Sequence, residues 1–418
     1  MKGINVKESD IMQIGSLIKY YRTKEGLTQS ELSEGICSIP HLSKIENNSK
    51  EANAETLALL LQKLGKNVKD IEKNEQKIKQ ILDQLIENIH FYQTENAQAD
   101  YDTLQDKLEL IPHTDYLYLY ELYKFRYCLF TYQIQESEDQ KKWLQKHKKN
   151  FSQHETYLYN CYSAIYLIVK RKLSEADSLL MSLIHNQHGE LFLSAEVYYH
   201  LAMVKGYLNQ PGQAIFYARK ALQLYTNHFN LRRMLHTHMI LGINYTQSDI
   251  YAEAMECYKH LLRNTEILGD KELVPQIYHN FADLRKKMGN QEEAIYLYRK
   301  SLSLQNQQHP NYLVSVYSLA ETFYSAAENE LALKYFKKAS ALAKCINNQE
   351  YSLLSAFYLY LLHKQKDTAY VHLEEKVLPF LQAKENKQDF HYYSKMLAKY
   401  YHESGKYEPA IYYFIQSE

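Results

Sequence analysis

At 418 residues the chain is too long for one compact domain, and its 45% apolar and 23% charged residues are those of a protein with full cores. Its 49 basic and 49 acidic side chains cancel, which excludes a protein coated in positive charge, so any nucleic-acid contact must belong to one module. Only 7 Pro and 12 Gly exclude a sheet-rich or loop-rich architecture, since tight turns need those residues; long helices with short connections are expected.

Residues 1–10 are polar and lack the apolar core of a secretion signal. No stretch approaches the ~20 uninterrupted apolar residues that span a bilayer. A cytoplasmic protein is expected. Five dispersed cysteines without a C-x-x-C pair fit that compartment, as reduced thiols packed mostly as small hydrophobes. No P-loop, G-x-G-x-x-G or H-E-x-x-H occurs, so no catalytic residue, metal set or cofactor is predicted.

From Ile11 to Gly65 the spacing predicts a string of short helices. Ile14, Leu17, Ile18 and Tyr21 give the apolar face of the first, which Gly26 ends. Thr28-Gln29-Ser30-Glu31 is a capping box opening a short second helix that runs to Gly35. Ser38 is expected to cap a third helix, with Pro40 tolerated in its first turn; Leu42 and Ile45 turn inward while His41, Lys44 and Asn48 turn outward. A fourth, capped by Asn53, carries Leu57, Leu60, Leu61 and Leu64. Two helices joined by a tight turn and braced by a first and a fourth make a helix-turn-helix, whose second helix fits the DNA major groove.

The string IGSLIKYYRTKEGLTQSELSEGICSIPHLSKIENN, Ile14 to Asn48, resembles the phage-repressor-like (Xre-type) DNA-binding domain, including R-x-x-x-G-L-T-Q from Arg22 and S-K-I-E from Ser43. That resemblance implies that Thr28 and Gln29 stand at the DNA backbone and that Ser38, Ile39, Pro40, His41 and Lys44 face the groove. Ile39 and Pro40 depart from the polar residues usual there, which points to apolar contact with thymine methyls. Arg22 and Glu46 usually pair within this fold. Lys19, Lys24 and Lys50 either touch phosphates or are solvated. Residues 1–66 hold nine Lys or Arg against eight acidic residues, a weak balance for one phosphate-tracking module, so a homodimer on a palindromic double-stranded operator is expected.

Residues 67–77, rich in lysine and glutamate and without apolar rhythm, read as a linker between residues 1–66 and a second domain, 78–418. That domain repeats. A small residue, an aromatic three later, an alanine nine further on, then an aromatic and a small residue or Leu recur: Gly242, Tyr245, Ala254, Tyr258, Leu261; Ala320, Phe323, Ala332, Phe336, Ala339; Ala398, Tyr401, Ala410, Phe414, Ser417. Ala282, Ala294, Tyr298 and Ser301 keep the frame with Arg285 at the aromatic position, and Ala202, Ala214, Ala218 and Ala221 keep part of it. Helices approach closely where small residues meet, as Gly242 against Ala254. Each pair leaves an apolar face that the next must cover. The frame matches the tetratricopeptide repeat, at a spacing wider than its ~34 residues. With two frameless pairs at 78–110 and 115–150, the all-α fold is a helix-turn-helix followed by a right-handed superhelix of about nine hairpins, whose first helices line a concave groove.

Mapping the frame onto the inner helices selects Tyr199, His200 and Met203, then Asn244, then His279, Asn280 and Asp283, then Tyr317 and Glu321 as groove residues. An amide such as Asn280 can donate to and accept from a peptide backbone, and tyrosine offers a ring with a hydrogen-bonding tip. Arg126, in the aromatic run from Tyr116 to Tyr132, either pairs with Glu121 or awaits a ligand carboxylate.

This pairing of modules resembles the peptide-responsive quorum-sensing regulators of Gram-positive bacteria (the Rap, Rgg, NprR, PlcR and PrgX group), with GICSIPHLSKIE nearest the NprR and PlcR branch. The resemblance implies a short signalling oligopeptide bound in the groove, reshaping superhelix and dimer and so altering DNA binding. Asn280, and less closely Asn244 and Arg126, fall where the family grips its peptide. Rap-type relatives instead dephosphorylate or sequester a response regulator, which is the alternative function and a possible further partner.

Overall fold

Helix follows helix from Ile14 to Gln416, with no strand among the residues the computed structural model describes: 14–50, 52–185, 191–268, 272–384 and 386–417. None of these helices is long and apolar enough to cross a membrane. The chain divides into two compact units, residues 1–162 and 163–418.

The first unit opens with α1 (Ile14–Lys24), α2 (Gln29–Ser33), α3 (Ile39–Glu46) and α4 (Ala54–Lys63). Thr28 closes the expected capping box: its hydroxyl accepts from the Glu31 amide, and Glu31 accepts from the Thr28 amide at 2.7 Å. Asn53 caps α4 as expected. Ser38 holds the cap position of α3 without a side-chain hydrogen bond; Pro40 in the first turn has no amide to offer. Leu17, Ile18, Leu32, Leu42, Ile45, Leu60 and Leu61 form the core.

The segment expected as a linker is helical. α5 (Val68–His90) starts immediately after Asn67, whose side chain caps it, and Ile71 is buried in the helix-turn-helix core with Val68 and Leu110 packed against it. Polar residues 72–77 hid the join, because one buried isoleucine, stabilising by about 1.5–3 kcal/mol, is enough to anchor the helix. α6 (Thr94–Gln105), a 3-10 turn (Ile111–His113), α7 (Leu117–Phe130) and α8 (Ile134–His147) complete two hairpins, and α9 (Gln153–Val169) follows.

In the second unit α10 (Leu173–His185) is followed by the pairs α11/α12 (Leu191–Tyr207, Pro211–Asn227), α13/α14 (Leu231–Gln247, Tyr251–Leu268), α15/α16 (Val274–Lys287, Gln291–Leu304) and α17/α18 (Pro310–Ser325, Asn329–Cys345). Then come α19 (Gln349–Leu362), α20 and α21 (Lys366–His372, Leu378–Ala383) joined through a π-helical turn, and α22/α23 (Lys387–Glu403, Tyr407–Gln416). From α5 onward the described residues form nine hairpins.

One turn serves all nine. Each places a single residue in the left-handed region: Tyr92, Tyr132, Arg171, Asn209, Asp249, Gly289, Ala327, Lys364 and Gly405. The next amide donates back to the carbonyl five residues earlier, as Gln133 to Cys128 and Ile250 to Tyr245, both at 2.9 Å. This is a Schellman closure, which usually recruits glycine. Two of the nine turns use it.

The repeat frame supplies the packing. Ala202, Ala218, Ala254, Ala282, Ala294, Ala320, Ala332 and Ala339 are fully buried, with Tyr258, Tyr298 and Phe336 filling the gaps. The near neighbour of Gly242 is the Tyr258 ring, whose Cε1 lies 2.9 Å from where a Cβ would stand. Cys128, Cys161 and Cys257 are buried, and burial pushes the Cys128 and Cys257 thiols up to about 11.

Candidate functional site

The surface expected to read DNA is built on one carboxylate. Glu46, at the end of α3 and with its side chain 1% exposed, accepts from Arg22 Nε at 2.6 Å and from a second guanidinium nitrogen at 3.0 Å. The same guanidinium donates to the Leu27 carbonyl at 2.9 Å, and Gln29 Nε2 donates to Glu46 at 2.8 Å. A bidentate pair with a third donor fixes α1, the turn and both helices of the motif in one geometry. The Arg22–Glu46 pair is the one the sequence suggests. Gln29 is held to Glu46 by its amide nitrogen rather than standing free at the surface.

α1 crosses α3 so closely at Gly15 that a Cβ there would stand 1.9 Å from the Ile45 carbonyl oxygen. Leu42 and Ile45 point inward. Ser38, Ile39, Pro40 and Lys44 are exposed, His41 is half-buried, and Ile39 is 45% exposed. Thr28 is exposed beside them in sequence. Ile39 and Pro40 therefore give the start of α3 an apolar, solvent-facing edge.

Arg126 lies in the first unit, 4% exposed on α7. Its suggested partner Glu121 accepts from Gln140 Nε2 at 2.6 Å and lies 4.0 Å from Lys124.

In the second unit the inner helices carry a row of polar side chains. Tyr199 is buried with its ring 5.2 Å from the Arg233 guanidinium, and Arg233 pairs with Glu196 at 3.1 Å. His200 is buried 3.7 Å from the same carboxylate, and Met203 is half-buried. Asn244, 2% exposed, donates to the Ile240 carbonyl at 2.8 Å, while its buried Oδ1 has no hydrogen-bond partner among the described residues. Gly206 makes its space: a Cβ there would meet Asn244 at 3.0 Å. Asn280 is half-buried and rests its amide nitrogen on Met239 Sδ at 3.0 Å, a weak acceptor that a carbonyl would displace. His279 meets Ser315 Oγ at 3.1 Å and Asp283 at 3.4 Å, and Asp283 also accepts from the buried Tyr298 hydroxyl.

Of Tyr317 and Glu321, expected to line an open groove, Tyr317 is buried and Glu321 is half-buried among partners. Tyr317 is 5% exposed with its hydroxyl 2.8 Å from that of Tyr393 on α22. Glu321 accepts from Lys286 at 2.9 Å, Tyr358 at 2.9 Å, Tyr317 at 3.3 Å and Tyr393 at 3.4 Å. Inner helices α17, α19 and α22 converge here, and three buried phenols need an acceptor that the one carboxylate supplies. Gln247 at the end of α13 also donates to Gln388 on α22 at 2.9 Å.

Burial, followed by the neighbouring Glu321, pushes the Tyr317 and Tyr358 hydroxyls well above the usual phenol value. Burial opposes the Lys286 charge but Glu321 and Asp283 outweigh it, so its ammonium is held above the usual lysine value. Desolvation raises Asp389 to about 6, against the bond from Asn386. Sequence reasoning missed Lys286, Tyr358 and Tyr393. Lys286 stands where the preceding units carry Gly206 and Thr246, a frame-breaking lysine that could have flagged the cluster.

Residues 18–71 match the helix-turn-helix family, and 195–228 and 275–308 match the tetratricopeptide repeat. The chain is 27% identical over 404 residues to the transcriptional activator NprA of Geobacillus stearothermophilus, covering 92% of this chain and 98% of that protein. Among solved structures, NprR in complex with its cognate peptide NprX shares 20% identity with a TM-score of 0.68, covering 82% of this chain and 97% of that one. A Rap protein complexed with competence and sporulation factor shares 14% identity with a TM-score of 0.72, covering 82% and 97%.

Proposed function

We propose that the chain is a peptide-responsive quorum-sensing regulator of the NprR kind: a cytoplasmic transcriptional regulator whose DNA binding is set by a short peptide held on the inner face of its repeats. The observation that carries this reading is the exposed start of α3, fixed from behind by Arg22, Gln29 and Glu46. A rigid helix presenting Ser38, Ile39, Pro40, His41 and Lys44 is what reading a major groove requires. With nine basic against eight acidic residues in 1–66, one head holds duplex weakly, so two heads on a two-fold operator are proposed.

Asn280 and Asn244 are the proposed peptide grips. Asn280 gives up only a thioether contact on binding, and the orphaned Asn244 oxygen is a buried acceptor lacking a donor. His279, Asp283, Tyr199, His200 and Met203 would flank them, and Arg126 is kept as a candidate for a ligand carboxylate. Tyr317 and Glu321 would contact peptide only after the Tyr393 and Tyr358 contacts part. No catalytic role is assigned to any residue.

The test is to incubate the full chain with sheared genomic DNA, with and without the small-peptide fraction of spent medium, and sequence what is retained. Enrichment of a few palindromic sites that changes with the peptide fraction is expected. Enrichment of none would favour action on a response regulator, as would normal activity in cells of a His41→Ala/Lys44→Ala variant.

A further inference from the structure

The end of α8 carries a charge run that the reading above leaves unused. Between Gln140 and His154 stand Lys141, Lys142, Lys146, Lys148 and Lys149, with His147 and His154 and no carboxylate. Lys142 is paired with Glu138 and Asp139, at 3.5 and 3.4 Å. Lys146, Lys148 and Lys149 are exposed and make no ion pair among the described residues; Lys148 lies 5.2 Å from the Tyr159 ring.

This end is rigidly seated. Trp143, the only tryptophan of the chain, stacks on His147 at 4.0 Å, and Tyr118 at the start of α7 lies 6.4 Å from each ring. Asn150 donates to the Tyr118 hydroxyl at 2.8 Å, and Phe151 packs on the same tyrosine at 5.5 Å.

The helix-turn-helix touches the same end of the hairpin. Tyr20 of α1 lies ring to ring with His113 at 5.0 Å, and Glu109 accepts from Tyr20 at 2.9 Å and pairs with Lys24 at 2.8 Å. From His113 to Tyr118 the chain reaches at most about 17 Å. The lysines therefore stand at the end of the hairpin that holds the DNA-reading head, within one compact unit. That head is nearly neutral, whereas a duplex presents one phosphate charge per ~1.7 Å.

We propose that Lys146, Lys148 and Lys149 form a second duplex-binding surface, which takes the phosphate backbone flanking the site read by α3 and adds affinity without sequence preference. The proposal rests on the helix-turn-helix reading for its choice of partner.

The experiment titrates the full chain against two labelled duplexes, one retained in the genomic selection and one unrelated, by anisotropy at several salt concentrations. A Lys146→Ala/Lys148→Ala/Lys149→Ala variant should lose affinity for both duplexes by the same factor, on the order of tenfold at low salt, with preference between them kept. Its plot of log affinity against log salt should be shallower by about 2–3, at ~0.9 per phosphate released. Either duplex should shift Trp143 emission of the wild type.

A His41→Ala/Lys44→Ala variant should instead lose the preference and keep the lysine-dependent part of the slope. Failure of the helix-turn-helix reading would appear as no preference in the wild type, with that part of the slope still removable by the triple variant. A triple variant with wild-type slope and affinity would overturn the proposal. So would Trp143 emission that responds to phosphatidylglycerol vesicles and to neither duplex.

Discussion

In the helix-turn-helix, the buried carboxylate of Glu46 finds its partners within 24 residues, in Arg22 and Gln29, and neighbouring caps close each helix locally. On the inner face of the repeats, the carboxylate of Glu321 draws on Lys286, Tyr358 and Tyr393, the last 72 residues away. Both carboxylates are met by several donors. They differ in what the partners report on. Local partners make the reading head rigid whatever the rest of the chain does, while remote partners make the inner face depend on how successive hairpins are stacked. A head that must present one geometry and a surface that must respond to a ligand call for those two arrangements respectively.

The largest expected effect breaks the remote cluster. Glu321→Ala leaves a half-buried ammonium and three buried phenols without this acceptor and should destabilise the second unit by about 2–4 kcal/mol in urea unfolding. Glu321→Gln, which still accepts from the phenols, should cost visibly less. Gly15→Ala attacks the head instead, forcing a methyl to within 1.9 Å of the Ile45 oxygen. About 3 kcal/mol of overpacking is expected, seen as lost duplex binding while the second unit melts normally.

A pH series sharpens the same contrast. Asp389 has a folded value raised from 3.8 to about 6, so the folded state binds its proton more tightly than the unfolded chain. Its contribution is therefore most favourable below about pH 4, declines as pH rises to 6, and stays lost above. Asp389→Asn should remove that decline and raise stability at pH 7.5 by about 1–2 kcal/mol, measured by thermal unfolding across pH 4–7.5. In the head the shift runs the other way: the Thr28 amide and hydroxyl hold the Glu31 carboxyl below its usual value, so its contribution is present above about pH 4.5 and is lost as pH falls. Thr28→Ala, which opens the capping box, should cost the head about 1 kcal/mol at neutral pH and less as pH falls toward 4. The smallest effect is a gain: Tyr132→Gly relieves a left-handed tyrosine at φ 58° and should stabilise the first unit by about 0.5–1 kcal/mol.

The same contrast decides what could be read from the sequence. Thr28 with Glu31 and Asn53 are local signals, the Arg22–Glu46 pair is what the resemblance to Xre-type domains implies, and the structure bears each of them out. The alanine frame marked the helix pairs because only small residues fit where helices touch. The nine equivalent turns were illegible, since seven put Tyr, Arg, Asn, Asp, Ala or Lys where glycine would have announced a left-handed residue. The helical join at 67–77 was hidden because its apolar anchors are only Val68 and Ile71, among charged and polar neighbours. Tyr317 and Glu321 were placed on the correct helix but given an open groove, because no sequence pattern states that α17 and α22 meet.

The central claim is that peptide on the inner face controls duplex binding at α3. It is tested most directly by measuring affinity for a retained duplex while titrating the cognate peptide, in the wild type and in Asn280→Ala. The expected result is a wild-type duplex affinity that changes with peptide, and the same change in Asn280→Ala only at about 5–150-fold higher peptide, equivalent to 1–3 kcal/mol for an unsatisfied polar group. A duplex affinity indifferent to peptide, or a response identical in the two proteins, would contradict it.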